Sequence, residues 1–256
     1  GLAPYVAIYG PTGALLDSRL ALVDRHVRIE VDARAARFPV VVDPLVATAE
    51  TELHPDSSGD GETNDAFGTS VAYDGTWAAV GAPGHLAGYG AVYVFERTAA
   101  STWVRRQEIP NPDAANNTGT GGFGTSVALL GNRLGVGNPE TDIGAGGDGY
   151  GSVYVYERPD GSTPFTMKSA LARGGGGTQS TGERFGTSVA LAPDGVRGDI
   201  FVAGAPGEGG DKGAVYHYRR ALAASGTWSL QERITKATPT VGDEFGASVA
   251  VNDKRL

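Results

Sequence analysis

Between residues 67 and 244 the chain alternates short apolar runs with breaks rich in Gly, Asp and Asn, and the runs come in groups of four. Within the first group lie Ser70-Val71-Ala72, the small-residue run Ala79 to Ala82, Ala91 to Phe95, and a stretch around Trp103. Ala91-Val92-Tyr93-Val94-Phe95 and Ser152-Val153-Tyr154-Val155-Tyr156 mix β-branched with aromatic residues, the composition of a strand buried on both faces. Asp74-Gly75 and Gly131-Asn132 stand between the first two runs of their groups, where a tight hairpin needs positive φ. No window keeps a helical period. The pattern predicts an all-β chain in which each group forms four short antiparallel strands.

The groups are copies of one another. Phe-Gly-Thr-Ser-Val-Ala starts at Phe67, Phe123 and Phe185, and Phe-Gly-Ala-Ser-Val-Ala at Phe245, giving units of 56, 62 and 60 residues. Each unit then passes through Gly81-Ala82-Pro83, Gly137-Asn138-Pro139 or Gly204-Ala205-Pro206. Next come a Gly-rich loop, a Tyr-containing strand, an Arg (Arg97, Arg158, Arg220) and an aromatic (Trp103, Phe165, Trp228). Four short strands in a unit of this length predict a propeller blade, a small twisted sheet packed face to face on its neighbours. The small residues then belong to crowded inner strands and the aromatics to the wider outer gap. Each Pro follows the second strand, where its missing N–H removes no ladder bond.

With Phe-Gly at its start, Gly-Ala-Pro in its middle and Gly-[Ala/Ser]-Val-Tyr after, the unit resembles the FG-GAP repeat. That repeat is the blade of integrin α-subunit propellers and of many bacterial surface proteins. Thr102-Trp103 and Thr227-Trp228 bring it nearest the bacterial FG-GAP subtype. The resemblance covers residues 67–256 and implies a β-propeller of blades 67–122, 123–184 and 185–244 with a partial fourth at 245–256. Integrin-type calcium loops carry alternating carboxylates between strands one and two. Here those places hold Tyr73-Asp74-Gly75-Thr76, Leu130-Gly131-Asn132-Arg133 and Pro193 to Asp199, which lack the oxygen ligands calcium needs.

Residues 1–48 form a separate β-rich segment. Val27 to Asp32 alternates as a half-exposed strand, Phe38 to Pro44 reads as a buried one, and Tyr5 to Leu16 suggests a hairpin. This stretch is similar to segments that precede such arrays in some bacterial secreted proteins. Residues 49–66 form an acidic linker. The chain starts at Gly1 without Met, the expectation being a processed product or excised segment. Three units and a stub leave a ring open, with three readings: a fragment of a longer chain, closure by residues 1–48, or strands donated by another subunit.

Composition narrows the function. Gly supplies 40 of 256 residues, yet 40% of the chain is hydrophobic and no apolar run approaches a membrane span. There is no Cys, which removes disulfides and thiolate chemistry. A net charge of −8 without a basic stripe argues against nucleic acid. The candidate calcium loop is Asp56, Ser58, Asp60 and Asn64, with oxygen side chains near calcium-loop spacing, set against a solvated acidic linker. Asp142, Asp148, Glu208 and Asp211 stand in loops that share one face of the disc, read as ordinary solvated loops set against an acidic ligand or metal surface. Arg197-Gly198-Asp199 spells an integrin-recognised tripeptide, read as chance. His217 takes a Val position and is read as packing against a partner. Asn116-Asn117-Thr118 is a glycosylation sequon if the host glycosylates. No catalytic residues, required cofactor or enzyme activity is assigned. The resemblance implies a non-enzymatic adhesion or structural module, extracellular or at a bacterial surface, contacting protein or glycan and self-associating through residues 245–256. A carbohydrate-binding propeller using Tyr89 and Tyr150, or a propeller domain of a polysaccharide-processing enzyme, are the alternatives.

Overall fold

The computed structural model describes residues 7–9, 18–23, 26–31, 41–43, 52–55, 64–99, 102–114, 122–140, 149–171, 182–195, 197–222 and 226–252. The chain divides into two compact units, Gly1–Thr51 and Glu52–Leu256. In the first, β1 (Ala7–Tyr9) pairs with β4 (Val41–Asp43), and β2 (Ser18–Val23) forms a hairpin with β3 (His26–Val31). Ala7–Tyr9 thus pairs with the Val-rich strand, and the rest of the hairpin expected at Tyr5 to Leu16 lies outside the described residues.

The second unit holds three four-stranded antiparallel sheets, each in chain order. Blade one is β5 (Ser70–Tyr73), β6 (Trp77–Ala82), β7 (Ala91–Ala99) and β8 (Thr102–Pro110). Blade two is β9 (Ser126–Leu130), β10 (Arg133–Asn138), β11 (Ser152–Glu157) and β12 (Thr166–Ala170). Blade three is β13 (Ser188–Ala192), β14 (Ile200–Ala205), β15 (Ala214–Arg220) and β16 (Trp228–Ile234). Gly131 turns between β9 and β10 at φ 54, and Gly75 between β5 and β6 at φ 101. The β5–β6 turn has three residues, because the Asp74 carboxylate caps the N–H groups of Thr76 and Trp77.

Successive blades pack side by side, with β9 lying against β5 on one side and β13 on the other. Blade one presents Trp77, Ala79, Val92, Val94 and Ile109 to Phe123, Leu134, Val136, Tyr154 and Tyr156 of blade two. Blade two presents Val153 and Val155 to Phe185, Phe201, Tyr216 and Tyr218 of blade three. Burial of such faces is the main stabilising term of the fold, at roughly 25 cal/mol per Å² of apolar area.

The repeated motif is the joint between blades. Ser70 Oγ donates to the Gly124 carbonyl at 2.7 Å, and Ser126 Oγ to the Gly186 carbonyl at 2.8 Å. Gly81 and Gly137 approach the same carbonyls so closely that a Cβ would overlap them. The Gly that opens each Tyr-bearing strand, Gly90 or Gly151, likewise lies against the backbone of Phe123 or Phe185. The residue before each motif Phe is left-handed (Ala66, Gly122, Arg184 and Glu244, φ between 47 and 66), as is the Gly after it. The motif thus encodes a turn that delivers one backbone carbonyl to the preceding blade.

The fourth motif docks in the same way. Ser188 Oγ donates to the Gly246 carbonyl at 2.8 Å, and Gly213 bridges Phe245. Past that bridge, no strand continues through the described residues up to Asn252, and residues 253–256 of the expected partial blade lie outside them. At the other end, Val71 is 62% exposed and Tyr73 53%, whereas their counterparts Val127, Leu129, Val189 and Leu191 pack into inter-blade clusters. Gly68 has open space around it.

Candidate functional site

The joints end at the outer rim in polar and aromatic groups, and these build the grooves of the unit. Arg158 follows β11 and is 5% exposed. Its guanidinium lies 3.9 Å from the Trp77 ring centroid and 4.4 Å from that of Phe165, a cation–π sandwich across the first joint. Its hydrogen bonds, to Asn132 Oδ1 and the Gly131 carbonyl, are long at 3.4 Å. Burial pulls its pKa down, while the more distant Asp74, Glu96 and Asp160 pull it up. Beside it, Gln107 clamps the main chain of Phe165: Nε2 donates to the carbonyl at 2.8 Å and Oε1 accepts the N–H at 2.7 Å. These groups, with Thr76, Glu96, Ser162 and Thr163, line a groove of about 600 Å³.

The second joint uses charge. Glu157 accepts from Arg220 Nε at 2.8 Å and Nη2 at 3.2 Å, and from the Trp228 indole N–H at 3.3 Å. Desolvation works to raise its carboxyl pKa, but the bonds and charge of Arg220 outweigh it and hold the group below its ordinary range. Arg133 pairs with Asp199 at 2.7 Å. A groove of about 390 Å³ opens here, lined by Arg133, Glu157, Arg158, Lys168 and Arg220.

Two further polar clusters occupy one structural place in different blades. In blade one, His85 Nδ1 meets Asp65 Oδ2 at 2.9 Å and Nε2 lies 3.5 Å from Glu108. In blade three the corresponding position is Glu208, which accepts from the Tyr216 hydroxyl at 2.5 Å and from Arg233 Nε at 2.6 Å. Burial first, and then Glu208, pushes the Tyr216 hydroxyl up to about 12. The blade-one cluster ties the turn after strand two to Asp65 ahead of strand one and to strand four, and the blade-three cluster ties it to strands three and four. The turns are left-handed, at Leu86 and Ala87 in blade one and at Gly209 and Gly210 in blade three.

Of the expected metal ligands, Asp56, Ser58 and Asp60 lie outside the described residues, and Asn64 is an exposed left-handed residue with φ 79. Asp142, Asp148 and the sequon Asn116-Asn117-Thr118 also lie outside them. Glu208 and Asp211 are not gathered into one acidic surface: Asp211 pairs with Arg184 at 3.1 Å, which also holds Glu244. Among the described residues no group of three His, Asp or Glu converges on a metal position. Asp199 of the Arg-Gly-Asp tripeptide is committed to Arg133. His217 is buried in its strand with Nε2 lacking a hydrogen-bond partner, and burial lowers its pKa. Tyr89 and Tyr150 are half-buried at the loop before each joint. The sequence reading missed the rim residues Trp77, Gln107, Glu157 and Lys168. The recurring Arg after strand three was the one signal that pointed there.

Comparison with known proteins agrees with this construction. No curated protein matches the sequence. An endo-arabinase from Bacteroides thetaiotaomicron VPI-5482 aligns with 15% identity and a TM-score of 0.37, over 70% of this chain and 66% of its own length. Residues 54–95, which span the first motif and strands β5 to β7, match the family model of the FG-GAP repeat. The match covers blade one, and blades two and three seat the same Phe-Gly motif in the same joint.

Proposed function

We propose that the chain is a non-catalytic interaction module that acts in adhesion or structural contact outside a bacterial cell. The observation that carries this reading is the exposed edge strand of blade one. Val71 and Tyr73 on β5 stand exposed, although Ala78, Val80, Tyr93 and Phe95 of the same face are buried, and their counterparts in blades two and three pack into inter-blade clusters. An exposed apolar edge suits a protein partner or a second copy of the chain, with residues 245–256 as the complementary end. The ionisable groups support the same reading, because Glu157 and Asp199 are engaged between blades two and three, and Glu208 and Asp211 in ties within or beside blade three.

The test is adherence of beads coated with the full chain to bacterial cells, alongside sedimentation of the chain over a range of concentrations. Tyr73→Asp is expected to reduce adherence and any self-association while leaving the fold intact. Cleavage of glycan by the chain, or adherence and mass unchanged by Tyr73→Asp, overturns the reading. A second reading, glycan binding, is favoured by the two rim grooves, and a glycan array distinguishes it.

A further inference from the structure

The two rim grooves meet at Arg158, which lines both. Their charge departs from that of the whole protein. The chain carries −8 overall, yet the smaller groove gathers Arg133, Arg158, Lys168 and Arg220 around a single carboxylate, Glu157. Glu157 is spent on Arg220, and Asp199 on Arg133. Arg158 and Lys168 then have no carboxylate within ion-pair distance among the described residues.

The repeat explains why Arg158 is left over. Glu157 pairs across its sheet with Arg133, as Glu96 pairs with Trp77, so Glu96 stands where a carboxylate for Arg158 belongs. Glu96 instead binds Arg106 at 2.7 Å, and Arg158 rests between aromatic rings. A guanidinium held this way, with only long hydrogen bonds at Nε and Nη2, keeps its charge uncompensated for an incoming anion. Ser162 and Thr163 line the larger groove with their N–H groups and hydroxyls turned onto Asp160.

We propose that these two adjacent rim grooves together bind an acidic polysaccharide, a chain bearing carboxylate or sulfate groups on successive sugars. Two grooves of about 600 and 390 Å³ that share Arg158 exceed what one small anion fills. An extended acidic peptide would seek free main-chain groups at a strand edge, and Gln107 already closes those of Phe165. The inference deepens the module reading by naming a ligand class, and it rests on the chain being a binding protein rather than an enzyme.

The experiment is affinity electrophoresis of the full chain through gels containing polygalacturonate, dextran sulfate, neutral dextran or polyglutamate. Retardation by the first two polymers is expected, weakening as salt screens the contact. Lys168→Glu reverses an exposed charge without disturbing a packed residue and should weaken binding by about fivefold to tenfold. Lys212→Glu, the same charge change away from the groove, should leave it unaltered. Equal retardation by neutral dextran or polyglutamate, no retardation by either acidic polysaccharide, or an equal effect of the two variants overturns the proposal. Cell adherence that persists without acidic-polymer binding would leave the module reading standing and remove only this one.

Discussion

Gly137→Ala tests the blade joint most directly. Gly137 ends β10 with its Cα against the next blade. A methyl there would overlap the Gly186 carbonyl oxygen and Ser126 Oγ and lie 2.9 Å from the Gly186 carbonyl carbon. Backbone atoms cannot rotate away, so blade three must withdraw from blade two. Overpacking of this kind costs about 1–3 kcal/mol. Lengthening the Ser126 to Gly186 hydrogen bond, 2.8 Å in the native joint, adds about 0.5–1.5 kcal/mol. The expected loss is about 2–4 kcal/mol, which at an m-value of about 2 kcal/mol per molar lowers the urea midpoint by about 1–2 M. Tryptophan fluorescence is the suitable probe, since Trp77, Trp103 and Trp228 all lie in the second unit. Gly195→Ala is the control: its Cβ meets nothing within 4 Å and its φ is not left-handed, so the change should be neutral or stabilising by up to about 1 kcal/mol. A Gly137→Ala midpoint within error of the native one would refute the joint as described.

Three other outcomes follow from the same contacts. Phe123→Ala empties a fully buried site under Tyr154 and Tyr156 and should cost about 3–5 kcal/mol in urea unfolding. Leu86→Gly and Ala87→Gly relieve left-handed backbone at positions where blade three has Gly209 and Gly210. Each should raise stability by up to about 1 kcal/mol, read as a higher melting temperature. Glu157→Gln should cost about 1.5–3 kcal/mol at neutral pH. Because the folded Glu157 pKa is depressed, its contribution is present above the unfolded carboxyl pKa and is lost as pH falls through the folded value. The native chain should thus lose more stability than the variant between neutral pH and pH ~4, and parallel pH profiles would contradict the ion pair.

How much of this the residues disclose depends on the range of each interaction. Strand order and hairpins are local, so Phe-Gly-Thr-Ser-Val-Ala and the Tyr-bearing runs place all twelve blade strands. The motif's purpose is legible only in part. Gly and Ser are small enough to suggest close approach, but the carbonyl they approach belongs to the next motif, some 60 residues on. The rim is less visible still. Arg158 and Arg220 hold equivalent places, yet one stacks on Trp77 and the other grips Glu157, and Arg106 captures Glu96, the carboxylate equivalent to Glu157. His217 fits its strand as expected from a Val position, though nothing in the sequence marks its unbonded Nε2. The pairing of Ala7–Tyr9 with Val41–Asp43 is not legible, because apolar alternation fixes a strand's face and not its partner.

The serine-to-carbonyl joint also bears on how such a chain can evolve. Each module carries a plug, its Phe-Gly turn, and a socket, its Ser with two bare glycines, and the accepting group of that contact is a main-chain carbonyl in every joint. Duplicating or excising a whole module preserves this plug-and-socket contact, so copy number can drift by recombination while the side chains around the joint readjust.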